Sequence, residues 1–103
     1  MTKTEQQQFF YDFTEKMSST ILTKGDDYAG QEDRLNNFKA AGNAAGGNAK
    51  LNCLNLIATK VARLGQLLNS KNAPKHEAVE DSILDLANYA FLLACIMNEE
   101  SKS

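Results

Sequence analysis

The run HEAVEDSILDLANYAFLLACIMNEE, residues 76–100, decides the fold. Its second half, Leu86 to Met97, is apolar on nearly every face, so it needs packing from several sides and is expected to form a central helix. The first half differs. Glu77, Asp81 and Asp85 recur at i, i+4 and i+8, which stacks them in one strip that Asn88 continues, with Glu80 beside it. Acids in the first turn complement the helix dipole by roughly 0.3 to 1 kcal/mol each, which accounts for Glu77, Glu80 and Asp81. Asp85 lies about two turns in, beyond that help, and like charges four apart cost roughly 0.2 to 0.5 kcal/mol per pair. The ladder therefore calls for cations, either Lys and Arg from a neighbouring helix or a bound metal.

A neighbouring helix is expected immediately upstream, over about 48–69. Asn48 can cap it, and Leu54, Ile57, Val61, Leu64 and Leu68 follow a 3-4-3-4 spacing. Its polar strip is Asn52, Asn55, Thr59 and Arg63, with Lys60 alongside, and Gly65 permits close approach of another helix. The connection from Asn69 to Lys75, containing Pro74, is short, so this helix and the one over about 76–99 are expected to form an antiparallel hairpin. Folding about residues 72 and 73 sets Lys60 opposite Asp85 and Arg63 near Asp81 or Ser82. Residues 99–103 read as a frayed tail.

Two more helices precede the hairpin. Phe9, Phe10, Phe13, Met17, Ile21 and Leu22 sit at helical spacing over about 4–24, after a Thr4 able to cap. Asp12 and Glu15 form a D-x-x-E pair there, which reads first as a solvated face and second as a source of metal ligands. Gly25 ends the helix, and the turn residues Lys24-Gly25-Asp26-Asp27-Tyr28-Ala29-Gly30 follow. A short helix over about 31–41 carries Leu35, Asn37 and Phe38, and Gly42 closes it. The glycine-rich stretch 43–47 suits a hinge or a closing loop. It lacks the preceding strand and following Lys-Ser/Thr of a phosphate-binding P-loop.

At 103 residues and 11.3 kDa the chain is expected to be a single domain. Its 43% hydrophobic content includes 13 Ala, so large core-forming side chains are few. The expected fold is therefore all-α: a small helical bundle built on an antiparallel helical hairpin and completed by homo-oligomerisation. A net charge of -2 and a pI near 5.3 argue against wrapping duplex nucleic acid, which needs clustered cations. No apolar run is long enough to span a bilayer and the start MTKTEQQQ is polar, so no membrane partner is expected and the reading is cytosolic. Cys53 and Cys95 lie in apolar helical patterns, consistent with reduced, buried thiols. With His76 the only histidine, a zinc site has almost no support.

The ordered set Lys24-x-x-Asp27-Tyr28-Ala29, Asn37-Phe38, Lys60-x-x-Arg63-Leu64 and Glu77-x-x-x-Asp81-x-x-x-Asp85-Leu86-Ala87-Asn88-Tyr89 resembles small, often phage-encoded proteins of the nucleotide-modification-associated domain group. Its last block is also similar to the second acidic motif of the MazG-like all-α nucleoside-triphosphate pyrophosphohydrolases. The resemblance spans about Lys24 to Met97. For the MazG-like enzymes it implies a helical oligomer that binds Mg²⁺ through carboxylates of two helices and hydrolyses a nucleotide between its α and β phosphates. Glu77, Asp81 and Asp85 match the second acidic helix in kind, though not in strict spacing. The preceding long helix departs from the pattern, because Asn52, Asn55, Thr59, Lys60 and Arg63 stand where those enzymes carry E-x-x-E. Phosphate recognition survives that change better than metal-dependent hydrolysis does.

Three functional readings and one purely structural reading follow. In the first, the protein binds a nucleotide-type small molecule: Lys24, Lys60 and Arg63 contact phosphate, Tyr28 or Phe38 stacks on or beneath a base, Asn37 and Asn88 orient polar edges, and Asp27 joins the same site. Asp81 and Asp85 then hold the cations in place. Such a binder can sequester a nucleotide signal, as phage proteins that blunt host defence do. In the second, Glu77, Asp81 and Asp85 bind Mg²⁺ for pyrophosphohydrolysis, with no residue singled out as catalytic. In the third, the last helix buries itself in a protein partner. The structural reading is that Lys60 and Arg63 merely pair with Asp85 and Asp81 across the hairpin.

Overall fold

The computed structural model describes residues 1–24, 35, 48–71 and 76–102, and these are helical almost throughout, with no strand among them. The fold is all-α. Apart from Leu35, the helix expected over 31–41 lies outside the described residues, as do the glycine-rich stretch and Pro74. Contacts divide the chain into two compact units, Met1–Arg34 and Leu35–Ser103.

The first unit holds helix α1, Lys3–Ser19, which continues as a π-helical turn over Thr20–Lys24. Thr2 caps it, not Thr4. The Thr2 hydroxyl accepts from the Glu5 N–H at 3.1 Å and donates to the Glu5 carboxylate at 3.0 Å. Glu5 closes this pairing with its charge near the positive end of the helix dipole. No α1 residue is buried. Phe9, Phe10 and Tyr11 are each more than half exposed, and Phe9 stacks on Phe13 with ring centroids 6.0 Å apart.

The second unit is organised by helices α2, Ala49–Leu68, and α3, His76–Ser101. The Asn48 side chain caps α2 by accepting from the Leu51 N–H at 3.0 Å. At the other end, the Asn69 backbone and side-chain amides both donate to the Gly65 carbonyl. The two helices pack side by side. Lys50 meets Glu100 at 3.2 Å, the Cys53 thiol donates to the Tyr89 carbonyl at 3.3 Å, and Lys60 meets Asp85 at 3.0 Å. Partners descend along α3 as positions ascend along α2, so the helices run in opposite directions. The Lys50 contact reaches the end of α3, where the Ser101 hydroxyl also donates to the Asn98 carbonyl at 2.8 Å. Residues 99–101 are therefore helical, not a frayed tail.

The core is small. Leu35, Cys53 and Ile96 are its buried apolar residues, and Ile57, Tyr89, Leu92, Leu93 and Cys95 pack around them. The apolar spacing of α2 is divided between two sides. Ile57 and Leu64 are half-buried, whereas Leu54, Val61 and Leu68 are 50%, 54% and 64% exposed. The reason is helical phase: a 3-4 seam through Leu54, Ile57, Val61, Leu64 and Leu68 straddles the line between the face that meets α3 and the face beside it. Among the described residues no helix is long and apolar enough to cross a membrane.

Burial raises the pKa of both Cys53 and Cys95 above the ordinary 9.0, because a thiolate loses hydration inside the pair. Cys53 should therefore react with a disulfide reagent at neutral pH at least about tenfold more slowly in the native protein than after unfolding. The folded state holds these protons more tightly, so the stability they contribute is full below pH 9.0 and is lost as pH rises through the higher native values. Denaturant midpoints recorded from pH 7 upward, for the native chain and for Cys53→Ala, check that direction.

Candidate functional site

Lys60 and Asp85 form the centre of the only cross-helix ion pair, among those described, that lies in the middle of α2 and α3. Lys60 Nζ lies 3.0 Å from Asp85 Oδ2, with the side chains 25% and 44% exposed. Asp85 is thus the acid of the ladder that a neighbouring helix neutralises. A pair this open to solvent is worth about 0.2 to 1 kcal/mol, so it locates the site more than it stabilises the fold.

Arg63 lies three residues beyond Lys60, about one turn along α2. It is exposed, and among the described residues the expected pairing with Asp81 does not form and neither residue makes an ion pair. The three-residue step rotates Arg63 about 60° away from Lys60, off the face that meets α3. What remains is a guanidinium with its donors open to solvent, beside a lysine already held by a carboxylate. A guanidinium presents a planar fork of N–H groups, the geometry that phosphate and carboxylate oxygens accept in pairs.

Asn88 lies one turn beyond Asp85 and is 6% exposed, yet neither Nδ2 nor Oδ1 of its side chain has a hydrogen-bond partner. A buried polar group left unsatisfied costs about 1 to 3 kcal/mol, and native proteins rarely tolerate one without a reason. Spacing places Asn88 on the acidic strip, but no sequence signal shows that its amide lacks a partner. Ser82, also buried, is equally silent in the sequence.

The remaining acids do not converge. Glu77 and Asp81 are exposed, and successive members of the ladder are separated by about 6 Å of helical rise. Among the described residues no group of three or more His, Cys, Asp or Glu is placed to hold a metal ion. Glu80 lies 3.8 Å from His76 at the start of α3. Asp12 accepts from Gln8 at 3.0 Å on α1, and Glu15 is exposed there, as expected of a solvated face. Lys24 ends the π-helical turn. Asp27, Tyr28, Asn37 and Phe38 lie outside the described residues, so the site described here is the part carried by α2 and α3.

No protein-family model, no curated protein and no solved structure matches the chain. The resemblance to nucleotide-handling families therefore rests on the motif residues alone.

Replacing Asn88 by Leu removes the orphan donors and acceptors while keeping a side chain of similar length. Asn88→Leu should raise the unfolding free energy by about 1 to 3 kcal/mol. Urea denaturation measures it, and a destabilised variant would show that the amide has a partner in solution.

Proposed function

We propose that the protein binds a small phosphorylated, nucleotide-type ligand on the polar side of α2 and α3. The observation that carries this reading is the unpartnered Arg63 beside a lysine already neutralised by Asp85. Asp85 holds the ammonium in place, Arg63 supplies the open fork for phosphate oxygens, and Lys60 adds positive potential next to it. Asn88 supplies an amide whose donors and acceptor are free for a polar edge once the helices part slightly around a guest. The expectation that Lys24, Asp27, Tyr28, Asn37 and Phe38 join this ligand, with an aromatic ring against the base, rests on the sequence alone.

This reading favours sequestration over turnover. α2 carries no carboxylate, so a Mg²⁺ site would have to draw its acids from α3 and from elsewhere in the chain. Glu77, Asp81 and Asp85 as Mg²⁺ ligands belong to the hydrolytic alternative, and no specific observation favours it.

A second reading is favoured by the apolar residues that α2 and α3 leave exposed: the unit is a helical hairpin that completes a bundle by association, as an interaction module does. The two readings use different sides of the helices and are compatible.

The test is a panel of nucleoside triphosphates, dinucleotides and cyclic nucleotides incubated with the full chain, with and without Mg²⁺, both protein and small molecules being analysed. Binding should weaken about 10- to 100-fold in Arg63→Ala, the loss of one charged hydrogen-bonding group. Ligand recovered intact after denaturation supports sequestration, whereas turnover abolished by Asp85→Asn supports hydrolysis. Failure of every compound to bind at micromolar concentration, or binding indifferent to Arg63→Ala, overturns the site.

A further inference from the structure

We draw no further inference here: the strongest candidate, the apolar surface patch that exposes Leu54, Val61 and Leu68 of α2 and Ile83 and Met97 of α3, carries nothing, because nothing in the structure shows what covers it.

Discussion

Two helices laid side by side bury one stripe each, and every other feature of the second unit follows from what α2 and α3 place in that stripe. Cys53, Ile57 and Lys60 face Asp85, Tyr89, Leu92 and Ile96, so the seam is apolar between the Lys50–Glu100 and Lys60–Asp85 ion pairs. The thiol at its centre is fully buried and bonded to a carbonyl of the opposite helix, which only a small side chain allows. A seam of this composition aligns the helices but buries little apolar area, and burial is what stabilises a fold.

That shortage separates the two sides of the pair. On one side lie a paired lysine, an arginine that makes no ion pair among the described residues, and a buried amide without partners. On the other, leucines and valine stand in water. Both sides are costly to the isolated chain, one through an unsatisfied amide and the other through exposed hydrocarbon. Each cost is of the kind that a partner removes: a polar ligand in the first case, an apolar surface in the second. The proposed ligand site and the exposed apolar residues thus lie on separate surfaces of the same two helices.

The acidic ladder of α3 illustrates how one pattern carries several roles. Glu77, Glu80 and Asp81 occupy the first turns, where the dipole tolerates them, while Asp85 lies deeper and needs its lysine. Four carboxylates in one half-helix invite a metal reading, yet a straight helix holds Glu77, Asp81 and Asp85 in a row with steps of about 6 Å, Glu80 lies beside that row, and a row does not enclose an ion. Convergence requires acids from a second element, and α2 offers amides and cations instead.

Helices, their caps and the register between them were open to reading from residue order alone, because each depends on near neighbours or on one short connection. Asn48 caps α2 through its own local bond, and counting outward from residues 72 and 73 sets Lys60 against Asp85. The cap of α1 at Thr2 shows the limit of even local reading, since Thr4 presents similar chemistry and only the Glu5 pairing separates them. Which stripe of α2 meets α3, whether Arg63 reaches an acid, and whether Asn88 finds a partner were decided by the tertiary structure. A helix's periodicity makes several faces equally apolar or polar along its length; a rotation of about 50° about its axis changes which one is buried, and that angle is set by the side chains of the other helix.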